Sequence, residues 1–388
     1  MNKVGDAHMI EMESIIRLSD LSSDNNENNK RRETNNLTFI NLTSQVLVVN
    51  LINIPFMLKE MEFLNGVFTI ILYILCASFS LILIDNIGTI SKKYNLYKAM
   101  PNAKSRGFLT VLNFLADICR LYFTSSHIIG YFKDIYFESQ FYNTLFFAGI
   151  IFLLLFIDRY FRTKVKHFGF INASIALLVT GYGFYASKRA GVKESTPSTN
   201  AFNYFQQLGL LALWSCPNNQ MTKILCVKNV HAHIFGAFFV KIVLYLTIAI
   251  MGYFAFKDTT PIFVNNFENQ DNPIIFLFYL VSIIRVPNLV KNLSSVIARP
   301  FFEEDASSWF HAIVGFVIIL PAAKLCEFSF MKTFALISCT SLTLLVPPIT
   351  FFYYRPKNIV LKTLGVINLL IGVQMIVCSL VVYFLDFE

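Results

Sequence analysis

The chain is a succession of long apolar runs, and a few of them carry residues that do not belong in a simple lipid-facing helix. A bilayer core offers no water to backbone amides, so a crossing segment must satisfy its own, as a helix of about 20 residues does. Run length predicts about eleven such spans. They start near Thr38, Gly66, Gly107, Tyr142, Phe168, Phe202, His233, Pro273, Trp309, Phe330 and Ile359, and the last ends near Leu385. Charged residues make up 14% of the chain, against roughly 25% in a soluble domain. The expected class is an all-α polytopic membrane protein, with a transmembrane domain over residues 39–388 behind a disordered cytoplasmic tail, residues 1–38. The tail is rich in Asn, Ser and charge and cannot bury a core, and it reads as a solvated or sorting segment, not a cleavable leader.

Loop charge sets the orientation. Basic residues gather in the tail (Lys30, Arg31, Arg32), after span two (Lys92, Lys93, Lys98, Lys104, Arg106), after span four (Arg159, Arg162, Lys164, Lys166) and after span ten (Arg355, Lys357, Lys362). The alternate loops hold little beyond Lys133 and Lys257; the loop after span five, with Lys188, Arg189 and Lys193, is the exception. The bias puts the N-terminus in the cytoplasm, in a plasma membrane or a vacuolar or lysosomal membrane.

The net charge of +8 comes from these loops. No basic run is interleaved with a stacking platform, so a nucleic-acid partner is not expected. The expected partner is the lipid bilayer, and the expected state a monomer. The cysteines are scattered, mostly within spans (Cys76, Cys119, Cys216, Cys339, Cys378), with no metal-binding spacing, so they read as packing thiols. No cofactor or metal is expected. The six histidines form no catalytic cluster beyond the pair His231 and His233 at a span end, and no enzyme motif is present. An enzyme is therefore not expected.

Two spans are interrupted. Span one reads Ser44-Gln45-Val46-Leu47-Val48-Val49-Asn50-Leu51-Ile52-Asn53-Ile54-Pro55-Phe56. Asn is a poor helix former, and Pro55 removes a donor and crowds the carbonyl one turn back. Span six repeats the pattern in Gly209-Leu210-Leu211-Ala212-Leu213-Trp214-Ser215-Cys216-Pro217-Asn218-Asn219. Irregular backbone at that depth is tolerated where protein packs it or where it lines a cavity. A plain proline kink is one reading. The other is that interruptions at positions one and six mark a transporter built from inverted five-helix repeats, a LeuT-like 5+5 bundle. Freed amides there can bind a carboxylate and freed carbonyls an ammonium, and an amino acid carries both. The candidate substrate-binding residues are Val48, Val49, Asn50 and Leu51 on span one and Leu213, Trp214, Ser215 and Cys216 on span six, with Trp214 and Cys216 shaping the side-chain pocket.

Charges inside the spans add candidates. Asp117 and Arg120 lie one turn apart in span three and share a face, either neutralising each other or forming a gate or proton relay. Lys241 in span seven is about two turns from the nearer end, and the sequence offers it no partner. Arg285 stands in Ile283-Ile284-Arg285-Val286-Pro287-Asn288. A cation at that depth costs about 2.5–3.5 kcal/mol on insertion scales. Pro287 is expected to break the helix beside it, which suggests a transport site or a cytoplasmic vestibule.

Several short motifs in order resemble the amino acid/auxin permease family. These are Ile54-Pro55-Phe56-Met57-Leu58-Lys59-Glu60 in span one, Gly252-Tyr253-Phe254-Ala255-Phe256-Lys257 at the end of span seven, then Ile262-Phe263-Val264-Asn265, Ile319-Leu320-Pro321 in span nine, and Ser341-Leu342-Thr343-Leu344-Leu345-Val346-Pro347-Pro348 in span ten. The resemblance covers about Thr38 to Leu385. It implies amino acid transport by alternating access. In sodium-coupled members an Asn of span one and a Thr of span eight help hold sodium; alignment on the motifs sets Ser44 and Arg285 at those positions. A guanidinium is a permanent cation with donors only, so the resemblance implies sodium-independent transport with Arg285 standing in for the ion. Proton coupling through Asp117, or none, is left open. The chain departs from the family where Val48-Val49-Asn50 replaces Gly-x-Gly and where Cys216 replaces a His before Pro217, so the pocket is remodelled. The alternative class is a polytopic ligand receptor or channel of chemoreceptor type, without paired broken helices.

Overall fold

The computed structural model describes residues 54–93, 96–135, 139–161, parts of 174–185, 200–216, 230–255, 272–298, 307–325 and 329–385. Every regular element among them is helical. Span one supplies α1 (Ile54–Glu60), and span two is α2 (Phe63–Ser91), followed by the short α3 (Leu96–Ala99). Spans three and four are α4 (Ala103–Ile135) and α5 (Gln140–Phe161). Span five is helical at 174, 177–178, 180–183 and 185. Span six is α6 (Ala201–Ser215), span seven α7 (Val230–Ala255) and span eight α8 (Asn272–Ala298). Span nine is α9 (Ser308–Ile319), with α10 (Ala322–Leu325) after it. Span ten is α11 (Ser329–Thr340), a π turn (Ser341–Leu345) and α12 (Val346–Tyr353), and span eleven is α13 (Ile359–Leu385).

Among the described residues, six helical stretches are long and apolar enough to cross a membrane: Phe63–Ser91, Ala103–Lys133, Val230–Ala255, Ile275–Ile297, Phe330–Tyr353 and Ile359–Leu385. The outer surface is apolar, with Phe68, Phe141, Leu153, Phe239, Val360 and Leu370 all largely exposed. Exposed side chains of this kind on adjacent long helices belong against lipid, and the chain is a multi-pass membrane protein.

One expectation is corrected. Pro287 does not break its span: α8 runs through it from Asn272 to Ala298. A single missing donor is tolerated in a membrane helix because neighbouring groups and small local adjustments can satisfy the freed carbonyl. The ladder deforms in span ten instead. Pro347 and Pro348 have no N–H to give the carbonyls of Thr343 and Leu344, and the preceding turn widens so that the Val346 N–H reaches Ser341.

The helices pack in a regular pairing. α1 touches α6, α2 touches α7, α4 touches α8, and α5 touches α9, so each of these spans meets the one five places later. α11 lies along α6 and α4. The α6–α11 approach is close because a glycine permits it: a Cβ at Gly209 would strike the Lys332 carbonyl. α13 rides outside, with 22% of its apolar window buried. It is fastened by Asn368, whose amide donates to the Cys76 carbonyl at 3.0 Å and to Ser80 Oγ at 2.9 Å.

Candidate substrate site

The site grows from the end of α6. Asn200 caps the helix start, its side chain accepting from the Phe202 N–H at 2.9 Å. Asn203 donates to Glu60 Oε2 at 2.9 Å, and Tyr204 meets Thr69 at 2.6 Å, so the start of α6 is tied to α1 and α2. The helix stops at Ser215 because Cys216 precedes Pro217. A residue before proline is pushed out of the helical region, and Cys216 is extended, with φ −80° and ψ 108°. The last carbonyls of α6 therefore lose their continuation in the middle of a buried bundle, where unsatisfied acceptors are costly.

Arg120 of α4 supplies the missing donors. Its Nε donates to the Leu213 carbonyl at 3.3 Å and one terminal nitrogen to the Cys216 carbonyl at 2.5 Å. The other terminal nitrogen donates to Asp117 Oδ1 at 3.0 Å. Asp117 and Arg120 thus meet as their spacing on the helix implies, but the guanidinium also reaches across to span six. A cation at a helix C-terminus is favoured by the helix dipole as well as by the bonds.

A second cation stands on the other side of the same end. Lys241 of α7 is fully buried and does not snorkel; its Nζ donates to Ser215 Oγ at 3.2 Å. The ammonium also lies 5.0 Å from the Tyr245 ring centre and 5.8 Å from that of Phe238. Cation–π contact softens the burial of a charge but does not neutralise it. Among the described residues, two basic side chains and one carboxylate therefore surround the end of α6.

Cys216 is where the helices converge. Tyr73 of α2, Asp117 and Arg120 of α4, Lys241 of α7 and Cys339 of α11 all lie close to it, and the Cys339 and Cys216 thiols, both free, share a hydrogen bond. On the span-ten side, Tyr73 faces the hydroxyls of Thr340 and Thr343. Tyr73 Oη, Thr340 Oγ1 and Thr343 Oγ1 are buried, and none closes a hydrogen bond within the described residues. The sequence reading missed Tyr73, Cys339, Thr340 and Thr343. The one signal for the threonines was their position three apart just before the Pro347-Pro348 pair.

Of the candidates read from sequence, Leu213, Trp214, Ser215 and Cys216 form the α6 end, with Asp117 and Arg120 against it. Ser44, Val48, Val49, Asn50 and Leu51 lie outside the described residues, as does the side chain of Arg285. The carbonyls of Leu213 and Cys216, expected to be free for a substrate, are occupied by Arg120.

No protein-family model matches the chain, and comparison with curated proteins finds no match. Solved structures do match in shape. A histidine-to-alanine variant of the Eremococcus coleocola manganese transporter superposes with a TM-score of 0.60 at 12% identity, over 89% of this chain and 86% of that one. The same transporter in complex with an aromatic bis-isothiourea substituted compound gives 0.59 at 12% identity, over 89% and 85%. The fold is shared with a membrane transporter. At this identity the likeness speaks for the backbone arrangement alone. Among the described residues no group of three or more His, Cys, Asp or Glu side chains could hold a metal ion.

Proposed function

We propose that the chain is a secondary transporter that moves amino acids by alternating access, without sodium. The observation that carries this reading is the Arg120 guanidinium bonded to the carbonyl end of a span-six helix that stops in mid-bundle. A half-helix end in the core of a transporter fold is where coupling cations and substrates bind. In this chain a tethered cation fills that place, and a free one is not needed. Arg120 takes the role that the permease resemblance implied for Arg285.

The contacts of spans one to four with the span five places later support an eleven-span bundle with a 5+5 inverted repeat and α13 added outside. They favour a transporter over a receptor or channel with one continuous bundle.

Manganese transport fits this site poorly. A divalent ion would approach two buried cations, Arg120 and Lys241, against one carboxylate already engaged. In a medium of low polarity that repulsion is large. An amino acid brings the carboxylate that such a site lacks.

Uptake of labelled L-leucine, L-glutamate and manganese into proteoliposomes, in sodium, lithium and choline buffers, tests the proposal. Amino acid uptake of equal rate in the three buffers is expected. A steep sodium requirement, or manganese uptake in place of amino acid uptake, would overturn it.

A further inference from the structure

The neighbourhood of Cys216 is rich in donors and poor in acceptors. Lys241 has three N–H groups and gives one to Ser215 Oγ. Among the described residues its ammonium meets two ring faces and no carboxylate. Arg120 gives three of its five N–H groups to Leu213, Cys216 and Asp117. The hydroxyls of Tyr73, Thr340 and Thr343 are buried and face one another, and among the described residues none reaches a partner at ordinary hydrogen-bonding distance. These groups come from α2, α4, α7, α11 and the π turn after it, and lie around Cys216 at the end of α6.

We propose that this cluster is an anion site, in which Lys241, with the hydroxyls of Tyr73, Thr340 and Thr343 around the same helix end, holds a carboxylate of the transported solute, and that the solute is a net anion such as an acidic amino acid or a dicarboxylate. The proposal rests on the reading of the chain as a transporter and assigns the solute's charge, admitting solutes that carry no amine. A buried ammonium without an opposite charge is expensive, and a bound carboxylate supplies that charge together with acceptors for the idle donors. The same geometry disfavours cationic solutes. The α6 carbonyls that would receive an ammonium group already hold Arg120. A solute with a carboxylate to offer and no essential ammonium suits what remains. Lys241 Nζ is sealed in this conformation, so the anion enters when one of the surrounding helices moves, which alternating access requires.

Binding can be read apart from transport. The chain has two tryptophans, Trp214 beside the site and Trp309, and in a Trp309→Phe background Trp214 alone reports. Titration of the full-length protein in nanodiscs with L-glutamate, succinate, L-leucine and L-lysine should give saturable fluorescence changes with the two anions, and at least tenfold weaker ones with leucine and lysine. Lys241→Gln should weaken anion binding by about thirtyfold or more, since breaking a buried charge pair costs at least about 2 kcal/mol. Tyr73→Phe removes one hydroxyl, keeps the ring, and should weaken it severalfold, which keeps the proposal testable should Lys241→Gln not fold. Anion binding at parental strength in both variants, equal response to leucine or lysine, or no response to either anion would overturn the anion site. Anion binding without flux in proteoliposomes would leave the site standing and remove the transport reading. Leucine flux without anion preference would do the reverse.

Discussion

A terminal nitrogen of Arg120 donates to the carbonyl of Cys216 at 2.5 Å, so a side chain of span three caps the end of α6. Its other bonds, to Leu213 and Asp117, hold the guanidinium in one orientation. The end of α6 is thereby a finished structural unit whose charge is supplied from within the chain.

Asp117 and Arg120 should behave as one unit in stability. Asp117→Asn leaves the guanidinium without its carboxylate in a buried place, a loss of about 3–5 kcal/mol for pairs of this kind. Asp117→Asn with Arg120→Gln removes both charges and should cost less than the sum of the two single changes. Thermal unfolding of the four proteins in one detergent measures the coupling. Strictly additive shifts would mean that the two charges do not depend on each other.

Gly209 should tolerate very little. A Cβ there meets the backbone carbonyl of Lys332, which cannot rotate away as a side chain could. Gly209→Ala is expected to lower stability by about 1–3 kcal/mol, the usual range for overpacking, and Gly209→Val to prevent accumulation of folded protein. Size-exclusion profiles and melting temperatures check the order. A Gly209→Val protein as stable as the parent would show that α6 and α11 do not pack this closely.

The end of α6 was legible because its cause is local: Pro217 acts on the residue before it, and Cys216 is extended as a result. The charges of span three were legible as a pair for the same reason, three residues apart on one helix. Arg120's carbonyl partners were not legible, because Leu213 and Cys216 are distant in sequence and nothing local distinguishes a pair that neutralises itself from one that also reaches a neighbour. Lys241 had no visible partner because its partner is a serine hydroxyl on another helix. Pro287 was overread: proline's missing donor is a local fact, but whether a helix breaks depends on what surrounds it. Pro347 and Pro348 were seen as a motif, yet the π turn before them follows from two missing donors in succession.

Asn368 should matter for the attachment of α13 and little for transport. Asn368→Leu removes the bonds to the Cys76 carbonyl and to the buried Ser80 hydroxyl, a cost of about 0.5–3 kcal/mol. Faster hydrogen exchange in α13 and in the facing part of α2, with uptake within about twofold of the parent, is the expected result. Unchanged exchange would mean that lipid and apolar packing alone hold the helix.

Replacing the tethered cation by a free one tests the central claim most directly. Arg120→Gly leaves the carbonyls of Leu213 and Cys216 without donors and opens a space shaped for a guanidinium. In proteoliposomes this variant should lose amino acid uptake, and external guanidinium should restore part of it saturably, where tetramethylammonium, which has no N–H to donate, does not. Uptake at the parental rate in Arg120→Gly, with no cation added, would contradict the account.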